Sequence, residues 1–141
     1  MSTSDTSPDS SNLETLKVRL NQVVNTLAGN QTGSSQLNTQ ILQATANQLK
    51  DILPMLQFER MQAEDARDWP LVDAIDEAIT TCEDALDRAN AALIRTLVIG
   101  LNSQDMAEMQ QLRQQVQSAV KVQQVIKVLI QVAGFVRRLI V

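Results

Sequence analysis

Residues 70–99, PLVDAIDEAITTCEDALDRANAALIRTLVI, decide the fold class. At about 100° per residue, Leu71, Ile75, Ala78, Cys82, Ala85, Leu86, Ala89 and Leu93 fall on one side of a helical wheel. Asp73, Asp76, Glu77, Thr80, Glu83, Asp84 and Asp87 fall on the other. A half-buried strand would alternate at every second residue instead. The stretch reads as an amphipathic helix from Pro70 to about Ile99, capped by Asp68, with Pro70 in a first turn where a missing N–H costs nothing. Gly100 and Asn102 close it.

Toward the C-terminus, Asn102 or Ser103 caps a further helix whose first turns carry Asp105 and Glu108, as the helix dipole favours. Met109, Leu112, Val116 and Val120 form its stripe. From Val122 the stripe widens until Val125, Ile126, Val128, Leu129, Ile130, Val132, Phe135, Val136, Leu139, Ile140 and Val141 surround the axis, a pattern that calls for burial on more than one side. The β-branched content leaves a strand over Val128–Val141 open as well.

Toward the N-terminus, a second helix is expected from about Gln36 to Arg67, with Leu37, Ile41, Leu42, Leu49, Ile52, Leu53, Met55 and Leu56 in one broad arc. Pro54 removes a backbone donor and crowds the preceding turn, which predicts a kink or break between Ile52 and Leu56. Ala28–Ser35 is a connector of Gly, Asn, Thr and Ser. Before it, Leu13, Leu16, Leu20, Val23, Val24 and Leu27 mark a first helix, opened by the Ser11–Glu14 capping-box spacing and stopped by Gly29. Residues 1–10 have nothing to bury and read as a disordered tail.

Composition agrees with helices. Hydrophobic residues make up 44% and aromatics 2%, so a core must be built of Leu, Ile, Val, Ala and Met. Four Gly and three Pro are too few for the turns of a sandwich or barrel. Residues 11–141 suit one domain, all-α, an elongated antiparallel bundle of about four helices, one short and three long. No sustained heptad favours a long coiled coil. One Cys excludes an internal disulfide, no leader pattern is present, and no apolar run reaches the roughly 18 residues of a membrane span. The expected location is the cytoplasm.

The residue types argue against catalysis. With no His, the usual base near neutral pH and the commonest transition-metal ligand are missing. Cys82 lies mid-arc and reads as a small core hydrophobe. The acidic ladder of residues 73–87 points away from the apolar arc and reads as a solvated face rather than an inward carboxylate metal site. No glycine-rich phosphate loop exists, so no cofactor or metal is expected. Nucleic acid is not an expected partner: net charge is −4, Arg113, Lys121, Lys127, Arg137 and Arg138 form the only local basic excess, and none of the aromatics Phe58, Trp69 and Phe135 lies inside a basic run.

Charge polarity remains. Ten acids lie between Glu59 and Asp87 against Arg60 and Arg67, whereas Lys and Arg outnumber acids after Glu108. The leading expectation is a non-enzymatic interaction or self-assembly module, a homo-oligomer or a binder of another helical protein, with Val128, Ile130, Val132, Phe135, Val136 and Leu139 as contact residues. Trp69 joins them as a possible contact, although a hydrophobic staple at the helix start also accounts for it. The alternative is a membrane-active helical protein acting through residues 120–141, which resembles helical pore-forming proteins only superficially.

Overall fold

Helix stop signals set the element lengths. The computed structural model describes residues 8–28 and 36–140, with side chains over 12–28 and 36–140. Its elements are α1 (Pro8–Leu27), β1 (Gln36–Leu37), α2 (Thr39–Asp65), α3 (Trp69–Ile94), β2 (Ile99–Gly100), α4 (Ser103–Ser118) and α5 (Val122–Leu139). The described residues are all-helical apart from one small antiparallel ladder, in which Gln36 faces Gly100 and Leu37 faces Ile99. Residues 1–7 of the expected tail, and Gly29 as a stop signal, lie outside the described residues.

Several expected boundaries shift, each for a local reason. α1 starts at Pro8, whose fixed φ suits a first helical residue, so Ser11 sits inside the helix and is not its cap. At 20 residues α1 is longer than α4 or α5 and is not the short helix of the set. α2 starts at Thr39, because Asn38 is extended and its Oδ1 accepts from the Ile41 N–H at 2.9 Å. The two residues before Asn38 pair with β2 instead, which buries Leu37 completely. α2 then continues through Pro54 as one element, so of the expected kink or break the break does not occur.

α2 and α3 end in the same way. After α2, the Arg67 N–H donates to Glu64 O at 3.0 Å and the Asp68 N–H to Ala63 O at 2.9 Å, with Arg67 at φ 58°. After α3, the Thr96 N–H donates to Leu93 O and the Leu97 N–H to Ala92 O, both at 3.0 Å, with Thr96 at φ 51°. Both are Schellman turns, which satisfy the last carbonyls through a left-handed residue. They stop α2 before Arg67, and α3 at Ile94 rather than Ile99.

The largest correction concerns the C-terminal third. The expected fourth helix is two helices, so the described residues form five helices rather than four. Ala119 is extended (φ −72°, ψ 129°), as is Lys121 (φ −106°, ψ 155°), and α5 begins afresh at Val122. Gln124 Oε1 accepts the Val120 and Lys121 N–H groups at 2.9 and 3.0 Å, one arm of a capping box at the new N-terminus. The strand reading for Val128–Val141 is overturned as well, since α5 is helical to Leu139.

Cross-links give the helix directions. Thr26 meets Gln48 while Arg19 meets Asp51, and Leu49 meets Cys82 while Arg60 meets Asp76, so α1–α2 and α2–α3 are antiparallel pairs. α5 lies parallel to α3: Leu71 and Val122 line one cavity at the start of both, while Arg88 donates to Arg137 O and Ile140 O at 3.4 Å near the end of α5. α1, α2, α3 and α5 each pack against two of the others, closing a ring, and α4 lies across α1 and α5 rather than beside α3. α5 is therefore covered by α3, α1 and α4. That explains its wide apolar arc: Val125, Ile126, Leu129, Val132, Ala133 and Val136 are almost fully buried.

Candidate interaction surface

The contact residues expected on α5 are not on the surface. Val128, Val132, Phe135 and Val136 are buried, and Ile130 and Leu139 are partly buried against the same core. α5 does have a polar side, formed by Gln123, Gln124, Lys127, Gln131, Arg137 and Arg138, all exposed. Consecutive apolar residues hide that side when the segment is read as a run; placed on a wheel, the buried residues span about half the circumference. Of the apolar side chains on which a membrane-active reading of 120–141 depends, those on α5 are buried or partly buried while Val120, ahead of the helix, is 69% exposed, and among the described residues no helix is long and apolar enough to cross a membrane.

Trp69 is exposed at 55%. It is the first residue of α3, directly after the cap Asp68, whose Oδ1 accepts from the Leu71 N–H at 3.3 Å. A hydrophobic staple uses the residue before the cap, which here is Arg67, so Trp69 is not the staple. On the wheel of α3, Trp69 heads a stripe that continues through Asp73, Asp76, Thr80, Glu83, Asp87 and Ala91 to Ile94, with Glu77 at its edge. All of these are exposed except Asp76, which is half-buried and bound to Arg60 Nε at 2.6 Å. Ile94, at the far end, is 85% exposed. The stripe is about 37 Å long at 1.5 Å per residue. α2 and α5 hold the rest of α3 and leave this face open.

Among the described residues, Asp73, Glu77, Glu83 and Asp87 have no ion-pair partner. Cations concentrate on the other side of α5. Arg88 and Arg137 share the Asp84 carboxylate at 3.6 and 3.5 Å, and Arg138 pairs with Glu108 at 2.5 Å while lying 5.2 Å from the Phe135 ring. Between α4 and α5 runs a groove: a cavity of about 630 Å³ bounded by Arg88, Glu108, Gln111, Leu112, Gly134 and Arg138, and a second of about 260 Å³ reaching Lys127. Gln115 and Gln131 line both.

One group differs from its expected role, and one was not singled out by the sequence. Glu59, counted with the acidic face, is 5% exposed and follows Ile52 and Leu56 on the core stripe of α2. It borders a cavity of about 350 Å³ with Ala63, Leu71, Lys121 and Val122. The spacing of Ile52, Leu56, Glu59 and Ala63 was the available signal. Gly134, unremarked in the pattern, stands mid-helix in the groove wall, where an added Cβ would meet nothing within 4 Å. Cys82 behaves as expected from its position: it is fully buried, its Sγ donates to Leu49 O at 3.7 Å, and burial, with a smaller push from Glu83, raises its thiol to about 12. No protein-family model, curated protein or solved structure matches this chain.

Proposed function

We propose that the chain is a non-enzymatic interaction module that assembles with itself, or with another helical protein, through the outward face of α3. One observation carries this reading: Trp69 and Ile94, large apolar residues 55% and 85% exposed, stand at the two ends of a single open helix face. Tryptophan supplies more contact energy per residue than almost any other side chain at protein interfaces, through a large rigid ring with a polar N–H. The carboxylates between the two ends would select a cationic partner and set register. The side chains suit this role better than catalysis, because the chain has no His and its one thiol is protonated near neutral pH.

Trp69 is the sole Trp and therefore a built-in reporter. Light scattering after size exclusion, from micromolar to millimolar protein, should show mass rising with concentration, together with a blue shift of Trp69 emission as water leaves the indole. Trp69→Ser with Ile94→Ser should stay monomeric with unchanged helicity. A wild-type chain that remains a monomer with constant emission over that range refutes self-assembly.

A further inference from the structure

On the self-assembly reading above, the open face of α3 needs a counterpart, and the molecule carries a complementary surface. The groove between α4 and α5 has cations in excess of the acids that serve them: one carboxylate, Asp84, faces both Arg88 and Arg137. Lys127, at the other end of the groove, has no ion-pair partner among the described residues. The sequence reinforces this, since five Lys or Arg and no Asp or Glu follow Glu108, in a chain whose net charge is −4.

Shape points the same way. The two cavities of about 630 and 260 Å³ share Gln115 and Gln131 in their linings, so they follow one another along α4 and α5 rather than forming a closed pocket for one small molecule. Glutamine amides line it and can donate to carboxylates along its length. Gly134 leaves its wall flat. A helical glycine is less favourable than alanine, and here no neighbour occupies the space that a Cβ would fill. Small residues at such places let a second helix approach closely.

We propose that the α4–α5 groove of one molecule receives the acidic outward face of α3 from a second copy. Asp73, Glu77, Glu83 and Asp87 bring the carboxylates that the groove lacks, and Trp69 and Ile94 supply the apolar ends of the contact. Donor face and acceptor groove are different surfaces of the same chain, so the contact is heterologous: it extends to higher mass with concentration unless the rotation between copies closes a ring. Being built largely from exposed charges, it weakens as salt shortens the screening length.

Charge exchange tests this on the full chain. Glu83→Lys with Asp87→Lys reverses the face, and Lys127→Glu with Gln131→Glu reverses the groove; all four residues are exposed and outside the ion pairs, and far-UV circular dichroism checks that both variants keep their helicity. In low salt, wild type should associate, each double variant alone should run as a monomer, and an equimolar mixture of the two should associate again. Association of wild type that persists in both double variants, but is lost in Trp69→Ser with Ile94→Ser, overturns the groove as acceptor and leaves self-assembly through the α3 face standing. A wild type that is monomeric at all concentrations overturns both. Saturable binding of inorganic phosphate at the groove, with no association, assigns the groove to a small anion and also overturns the proposal.

Discussion

Phe135→Ala separates a core α5 from one that serves as a surface. The ring is 1% exposed and ranks among the largest fully buried side chains. Removing it forfeits about 1.5–3 kcal/mol of burial free energy. A void of about 80 Å³ that the surrounding helices cannot collapse adds about 2 kcal/mol at about 24 cal/mol per Å³. The stacking of Arg138 over the ring, on an exposed guanidinium, contributes about 0.5 kcal/mol more. The sum is about 4–5.5 kcal/mol. At roughly 0.05–0.15 kcal/mol per residue, it is about a third of the mid-range stability of a chain this size. In urea titrations followed by far-UV circular dichroism, the midpoint should fall accordingly, and the Tm should drop by roughly 10–15 °C at about 3 °C per kcal/mol. Met61→Ser, at a 60% exposed site on α2, is the control and should change stability by less than about 0.5 kcal/mol. A Phe135→Ala chain that loses under about 1 kcal/mol, while its oligomeric mass changes, would refute the packing of α5 as described.

Other changes test the local chemistry. Thr96→Gly relieves a β-branched residue held at φ 51° and should stabilise by about 1 kcal/mol in urea titrations, with a smaller gain for Arg67→Gly at φ 58°; a loss at either site would contradict the Schellman assignment. Gly134→Ala should gain about 0.5–1 kcal/mol, because the added methyl meets open space. Asn102→Ala removes the acceptor of the Asp105 N–H at 2.7 Å and should cost about 1 kcal/mol, read from the same titration. Burial raises the Cys82 thiol in the folded chain to about 12 from an ordinary 9.0, so the folded state holds its proton to higher pH. The unfolding midpoint should be flat with respect to this group below about pH 9 and decline as pH rises toward 12, and the decline should be smaller in Cys82→Ala.

How much of this was legible in the sequence depends on whether a signal was local. The α3 pattern from Trp69 to Ile94 was, because its apolar arc and acidic side follow a single period over seven turns. A cap at Asn102 or Ser103 was legible because that signal is local too; the structure uses Asn102 and pairs it with Asp105 in a capping box. The ends of α2 and α3 were not: Arg67 and Thr96 take a left-handed conformation usually given to Gly or Asn, and what accompanies it is backbone hydrogen bonds to carbonyls of the preceding turn, with one more from Thr96 Oγ1 to Arg95 O at 2.6 Å. β1 and β2 pair residues more than sixty positions apart, a contact to which no local pattern refers. Trp69 was noted from its place between two helices, but its exposure depends on how α2 and α3 turn around each other. The groove is tertiary throughout: Arg88, Gln111 and Gly134 come from three different helices.

The interruption at Ala119–Lys121 links these observations. As one rod from Ser103 to Leu139, the segment would run about 55 Å, and its apolar second half would project beyond helices of 20 to 27 residues. Extending Ala119 and Lys121 folds the second half back so that α5 lies between α3 and α1, where its wide arc is fully used, while α4, with few buried residues, remains on the outside. The cost is a helix end without a side-chain cap from Lys121, offset by Gln124 accepting two N–H groups. The same reversal opens the groove between α4 and α5 and brings Arg137 and Arg138 level with Asp84 and Glu108. The apolar surplus of the C-terminal third is thus spent inside the chain. What it leaves outside is a basic, amide-lined channel on one side of the molecule, and across α3 an acidic face with a tryptophan at its head.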